Sequence, residues 1–183
     1  MARTVEVPLV AVLVDLERLA EAESLLVQLE AAPELRIDQQ LALATARAHL
    51  ALKRAEPAAA AEVIDAGLAH IGYPRVKESA ALGAALRLGS RAQIARSNRD
   101  RALQMAEAAV SVSEKVARDP SHSADVGEAL LILAQAQHMW GRPEDAAANA
   151  RRAQRALAHG LGDEHRLTRE ALQLADTMSA RRE

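Results

Sequence analysis

Apolar residues recur at three- and four-residue spacings along most of the chain, which is typical of helices with one buried face. Proline, glycine and short polar stretches interrupt this pattern at nearly regular intervals and mark the candidate turns. The pattern predicts eight helical segments, the first with a break near Glu17. They cover residues 8–31, 35–54, 57–71, 75–96, 99–118, 122–140, 143–159 and 164–181.

Several predicted helix ends carry residues with a physical reason to be there. Pro57 and Pro143 suit the first turn of a helix, where the amide N–H has no helical partner. Asn98 and Asp163 are expected to cap the free N–H groups of the helices that follow them. Gly141 is expected to adopt the left-handed conformation that ends the preceding helix.

The composition favours helices alone. Half of the 183 residues are hydrophobic, yet the chain has no Phe, one Tyr and one Trp, against 43 Ala and 25 Leu. Ala and Leu are strong helix formers, whereas strands favour β-branched and aromatic residues. The expected fold class is therefore all-α, with methyl side chains that let neighbouring helices approach closely.

Other features of the composition exclude classes of function. The absence of Cys excludes disulfides, thiolate metal sites and a cysteine nucleophile. A net charge of −2 gives no general reason to expect nucleic-acid binding. No apolar run approaches the roughly 20 residues of a membrane helix, so we expect a cytoplasmic protein without membrane contact.

A short motif recurs at the predicted turns. Residues 141–146 join two helices and end in Ala146, and residues 97–102 and 55–60 have the same layout and end in Ala102 and Ala60. These three anchors are 42 and 44 residues apart, and a second small residue follows each of them seven positions later. Residues 17–22 form a weaker copy. This spacing is typical of helical hairpins that stack in an array.

At these residues the chain resembles the tetratricopeptide repeat family. The positions aligned with the family's motif are Leu130, Leu133-Ala134, Gln137, Gly141, Ala146, Ala150 and Ala153, and in the copy before it Leu86, Gly89-Ser90, Gln93, Ser97, Ala102, Ala106 and Ala109. The segment Arg151-Arg152-Ala153 and the loop 161–165 are similar to the kinesin-light-chain-like subtype. Departures from the motif are Gln93, Gln137, Ala106 and Ala150, which stand where the family has aromatic rings.

The resemblance implies a right-handed α–α superhelix of about eight helices in one domain over residues 1–183. Its parts would be a weak N-terminal repeat at 5–33, repeats at 35–72, 75–119 and 122–160, and a C-terminal capping helix at 163–181. The outer side of that last helix would carry Arg166, Arg169, Glu170, Gln173 and Asp176.

The resemblance also implies a function. The first helix of each hairpin would line an inner groove that binds a segment of a protein partner, without catalysis or a cofactor. The resemblance implies that the chain is a scaffold or a regulatory module of a larger bacterial signalling protein. The predicted binding residues are Arg87, Leu88, Arg91, Leu131, Gln135, His138 and Met139, and the wider set adds Thr45, His49, Leu52, Lys53, Ala84, Ile94, Glu128 and Ile132.

Apolar anchors and an acid paired with Arg87 or Arg91 would suit this groove. The alternative for Leu88, Leu131 and Ile132 is that they pack against the adjacent repeat or a covering helix. An alternative function is nucleic-acid or anion binding by the arginines between Arg87 and Arg101.

Catalytic and metal-binding patterns are weak. His159 and His165, beside Asp163 and Glu164, come nearest to a metal cluster, but they also fit a helix end followed by a turn. The serines form no nucleophile elbow, and the glycines form no phosphate loop. We therefore expect neither an enzyme nor a metal site.

The N-terminal helix is unusual because the segment from Leu9 to Leu16 is almost uniformly apolar. Such a segment is either buried against the array or covered by further sequence or a second subunit. A homodimer through this helix is one of the predicted arrangements.

Overall fold

The computed structural model describes residues 6–31 and 36–180, and in these ranges the chain forms nine α-helices and no strand. The predicted all-α class is confirmed. Each helix packs mainly against its neighbours in sequence. The contacts group the chain into two compact units, Met1–Lys77 and Glu78–Glu183.

The first unit contains four helices: α1 Glu6–Asp15, α2 Leu19–Glu30, α3 Ile37–Lys53 and α4 Pro57–His70. Helix α1 packs on both α2 and α3, and α3 packs on α4. Val10 and Val14 of α1 are buried with Leu26 of α2 and Leu50 of α3 in one core cluster. The predicted break near Glu17 is confirmed, because α1 and α2 are separate helices.

The second unit contains five α-helices: α5 Ala80–Ala95, α6 Arg99–Val116, α7 Ala124–Trp140, α8 Pro143–Leu161 and α9 Arg166–Ala180. A short 3-10 helix, Pro120–His122, precedes α7. Helix α7 also contacts α5 and α9, which precede and follow it by two in chain order. Ala134, Ala150 and Ala175 pack together where α7, α8 and α9 meet, because methyl groups allow close approach.

Four turns in the described part of the chain share one backbone geometry. Their left-handed residues are Glu17, Ala55, Ser97 and Gly141, with φ of 60°, 60°, 58° and 86°. Each lies five residues before a fully buried alanine, which is Ala22, Ala60, Ala102 or Ala146. The residue after each left-handed position donates its N–H to the carbonyl five residues back, a Schellman-type helix end. The four bonds are Arg18 to Leu13, Glu56 to Ala51, Asn98 to Gln93 and Arg142 to Gln137, each at 2.9 Å.

The predicted helix ends are partly corrected. Gly141 adopts the predicted left-handed conformation, and Pro57 and Pro143 begin α4 and α8. Asn98 occupies the N-cap position of α6, but its side chain makes no capping hydrogen bond. The prediction for Asp163 is wrong because α9 begins at Arg166.

Helix α5 begins at Ala80 and not at residue 75. Backbone turns occupy the residues after α4, and the Tyr73–Pro74 peptide bond is cis. Ser79 is extended, and its hydroxyl accepts a hydrogen bond from the N–H of Leu82. A side-chain cap at this point sets the start of the helix.

The motif positions that lack aromatic rings are buried. Ala106 and Ala150 are fully buried, and Gln93 and Gln137 are nearly so. The Oε1 atom of Gln137 accepts a hydrogen bond from Asn149 at 2.9 Å, whereas Oε1 of Gln93 has no hydrogen-bond partner. Small and polar side chains thus fill the space between the hairpin helices.

Candidate functional site

Polar side chains connect α5, α7 and α9 in the second unit. Arg87 of α5 reaches α7 twice, through Nη2 to Oδ1 of Asp125 at 2.7 Å and through Nε to Oε2 of Glu128 at 3.2 Å. Arg91 places its Nη2 3.1 Å from Oε1 of the same Glu128. We call the row formed by Arg87 and Arg91 on α5, Asp125, Glu128 and Gln135 on α7, and Glu170 on α9 the first-helix face.

The row continues from α7 to α9. Gln135 donates its Nε2–H to Oε1 of Glu170 at 2.7 Å, and Nη1 of Arg166 lies 3.4 Å from the other oxygen of Glu170. Glu170 was expected on the outer side of α9, but it is half-buried and points towards α7. That expectation is wrong because Gln135 provides a hydrogen-bond donor on the adjacent helix.

Three polar side chains with such contacts lie at the spacing of the buried anchor alanines. His49, Arg91 and Gln135 are separated by 42 and 44 residues, the spacing of the buried anchors. In the first unit His49 of α3 lies on the side that faces α1, with Nε2 3.4 Å from Oδ1 of Asp15. Each of the three side chains thus contacts an acidic residue on another helix of its own unit.

The seven predicted binding residues fall into two groups. Leu131 is fully buried, Leu88 is 9% exposed and the Arg87 side chain is 11% exposed. Arg91, Gln135, His138 and Met139 are half-buried and keep part of their surface open. The two leucines pack inside the unit, which was the alternative considered for them.

Both predicted arginines already have acidic partners within the chain. Arg87 is enclosed by Asp125, Glu128 and the hydroxyl of Ser113, which lies 3.4 Å from its Nη1. Arg91 meets Glu128 through a single nitrogen and is 32% exposed. The sequence placed Glu128 on this face but did not identify it as the shared partner, since helix periodicity does not reveal contacts between helices.

The arginine cluster considered for nucleic acid is divided between two helices. Arg87 and Arg91 face α7, whereas Arg99 and Arg101 lie in the first turn of α6. Arg101 donates to Oε1 of Gln104 at 2.7 Å.

The two histidines considered for metal binding are engaged separately. The ring of His159 packs against that of His122, with centroids 4.2 Å apart. His165 accepts a hydrogen bond at Nδ1 from the N–H of Leu167 at 3.3 Å. Within residues 6–31 and 36–180, no group of three or more His, Cys, Asp or Glu residues is arranged to hold a metal ion.

The apolar N-terminal helix has two different faces. Val10, Leu13 and Val14 are buried in the core of the first unit. Leu9 is 47% exposed, Val12 51% and Leu16 62%. None of the helices in the described ranges has the length and apolar character needed to cross a membrane.

No family model matches the chain, and no curated protein matches it either.

Proposed function

We propose that the chain is a non-enzymatic protein-interaction scaffold of tetratricopeptide-like hairpins, whose first helices bind a segment of a protein partner. The right-handed superhelix implied by the resemblance is part of this proposal. The observation that carries it is the row of partly open polar side chains on the first-helix face of the second unit, with Arg91 and Gln135 at its centre.

The four matching turns support the repeat interpretation. A left-handed residue five positions before a fully buried alanine recurs at spacings of 38, 42 and 44 residues. Stacked hairpins of this kind expose the same helix face repeatedly and so offer an extended surface to one ligand segment. A regulatory module of a larger bacterial signalling protein is the setting that we propose for it.

Arg91 is the residue best suited to bind a partner's carboxylate. A guanidinium has five N–H donors, and Arg91 uses one nitrogen for Glu128 while about a third of its side chain is exposed. It can therefore bind an additional carboxylate without releasing Glu128. Arg87 has a different role, because its contact with Glu128 positions that carboxylate between the two arginines.

The polar neighbours of Arg91 can orient the backbone of a bound segment. Gln135 holds Glu170 by one N–H and retains its second N–H and its carbonyl oxygen. His138 and Met139, at the end of α7, add a hydrogen-bonding ring and a flexible apolar side chain. We therefore expect the bound segment to be acidic, with moderate apolar content.

A peptide selection tests this proposal. Random peptides displayed on phage are selected on the full chain, and the enriched peptides are then measured against Arg91→Glu. The control is Arg96→Glu, an equal charge reversal at an exposed position at the end of the same helix. We expect acidic peptides that lose affinity by at least about tenfold with Arg91→Glu, the size of one charge-assisted contact, and keep it with Arg96→Glu.

Two outcomes would overturn the proposal. One is that no peptide is enriched on the wild-type chain. The other is that the enriched peptides bind the Arg91→Glu variant as well as they bind the wild type.

We also propose that a second copy of the chain covers the exposed face of α1. Leu9 and Val12 of α1 and Leu16, the residue directly after the helix, lie at spacings of three and four residues, so they form one exposed apolar stripe. Sedimentation of the wild type should show a dimer that Val12→Glu converts to monomer, with helix content unchanged. A wild type that stays monomeric at every protein concentration would refute the dimer.

A further inference from the structure

A groove on the second unit lies over α7, with α6 along one side and α8 on the other side at one end. Val126, Leu130 and Leu133 of α7 line it, and their spacings of four and three residues place them on one face of that helix. The first-helix face lies elsewhere on α7, because it uses Glu128 and Gln135. This groove, which we call the α6–α8 groove, is therefore a separate surface.

An ion pair divides the groove into two clefts. Nη2 of Arg152 on α8 lies 2.9 Å from Oε1 of Glu114 on α6. On one side is a cleft of about 410 Å³ over Leu133. On the other side is a cleft of about 210 Å³ over Val126 and Leu130, which we call the small cleft.

The small cleft has the size of one side chain. Pockets for small organic ligands are usually about 300–1,000 Å³, so 210 Å³ suits a single apolar side chain better than a whole small molecule. Its floor is apolar, and its rim is formed by Ser121, Arg152 and Arg155. Such a site favours an apolar residue with a polar neighbour.

The charge at the rim favours an acid. Arg155 is exposed, and no carboxylate among the described residues pairs with it. Arg152 is already neutralised by Glu114, and Asp119 is engaged by Ser121 and His122. Among the described residues, the guanidinium of Arg155 is thus the one on this rim that has no paired carboxylate.

Two imidazoles lie next to this rim. His159 follows Arg155 by one helical turn, and its ring packs against that of His122, the neighbour of Ser121. Nδ1 of His122 lies 2.9 Å from Oδ2 of Asp119, which fixes the position of the ring. These rings add hydrogen-bonding nitrogens beside Arg155.

We propose that the small cleft is a second docking site, which binds a segment of a protein partner through one apolar side chain and an adjacent carboxylate. The apolar side chain lies over Val126 and Leu130. The carboxylate pairs with Arg155, next to His159. This site goes beyond the first-helix face and lets the scaffold bind two segments at once.

The test uses peptides enriched on the full chain from a random library displayed on phage. Their affinity is measured for wild type, Arg155→Glu, Arg155→Lys and Arg151→Glu. Arg151 is the matched control because it lies on the same helix but donates to Ser179 of α9, away from the cleft. Circular dichroism and urea unfolding verify that every variant folds as the wild type does.

Histidine signals in NMR spectra locate each bound peptide. His122 and His159 report on the small cleft, and His138 reports on the first-helix face. We expect one class of peptides, with an acidic residue beside an apolar one, to shift the His122 and His159 signals. Its affinity should fall by about tenfold or more with Arg155→Glu, stay largely intact with Arg155→Lys and be unchanged with Arg151→Glu.

The proposal is overturned if no enriched peptide depends on Arg155 or shifts the signals of His122 and His159. Peptides that depend on Arg91 and shift only His138 would support the first-helix face alone. The two proposals can therefore fail separately.

Discussion

Replacing Ser97 by glycine should stabilise the second unit. Ser97 is exposed and has a φ of 58°, in the left-handed region that glycine adopts without a Cβ clash. Gly141 occupies the corresponding position of the next hairpin with a φ of 86°. Both turns close with the same 2.9 Å hydrogen bond, so they differ mainly in the side chain at this position.

The expected change in the free energy of unfolding is the difference between two opposing effects. The left-handed conformation costs a residue with a Cβ roughly 1–2 kcal/mol, and glycine removes this cost. Glycine also makes the unfolded chain more flexible, which offsets the gain by about 0.5–1 kcal/mol. The net free energy of unfolding should rise by about 0.5–1 kcal/mol with Ser97→Gly. Gly141→Ala should lower it by a similar amount, since an added Cβ would have no atom within 4 Å.

Trp140 provides the assay, because it is the only Trp of the chain and belongs to the second unit. Its fluorescence is followed during urea unfolding of the wild type, Ser97→Gly and Gly141→Ala. The control is Ala95→Gly, at the exposed last residue of α5, where glycine is the poorer helix former and should cost up to about 1 kcal/mol. If Ser97→Gly destabilised the protein as Ala95→Gly does, the assigned turn geometry would be refuted.

Three further predictions concern buried and charged groups. Gln93→Met should stabilise the protein by about 1 kcal/mol because it removes a buried oxygen without a hydrogen-bond partner. Gln137→Met should cost about as much because Asn149 loses its acceptor. If both variants changed the free energy of unfolding in the same direction in urea, this prediction would be contradicted. Gly127→Ala should cost about 1–3 kcal/mol of stability in spite of the better helix propensity of Ala, since the new Cβ would lie 2.7 Å from Cγ of Leu157. An increase in melting temperature would show that the two helices are not so close. The hydroxyl of Ser121 lowers the pKa of Asp119 below its usual value. The ionised carboxylate therefore stabilises the fold at pH values above the usual pKa of aspartate, and this stabilisation is lost as the pH falls through the lowered pKa. Ser121→Ala should raise the pKa of Asp119 in a carboxyl NMR titration, and an unchanged value would contradict the assigned hydrogen bond.

Much of the helical framework could be predicted because its determinants are local. The break at Glu17, the proline starts of α4 and α8 and the left-handed Gly141 depend on residues within one or two helical turns. The start of α5 was mispredicted because helical spacing extends back to residue 75, while the Ser79 cap begins the helix at Ala80. Periodicity alone does not show at which residue of a periodic segment a side-chain cap starts the helix.

The candidate site could be predicted only in part. The register taken from the family resemblance placed Arg91 and Gln135 on one face of the first helices, and both lie on the first-helix face, but periodicity alone gave less. It did not reveal that Leu131 is fully buried, because an apolar residue on a helix gives the same signal whether its neighbour is protein or solvent. The pairing of Arg91 with Glu128 also joins residues from different helices.

The sequence by itself determined that the chain forms helices, where most of them end and which small residues lie at their crossings. These properties follow from backbone conformation and side-chain size within a few residues of each position. Only the tertiary structure decided which polar groups neutralise one another and which guanidinium, that of Arg155, is left beside an apolar cleft. Electrostatic partners are chosen by distance in space, and helix packing sets those distances between residues that are far apart in the chain.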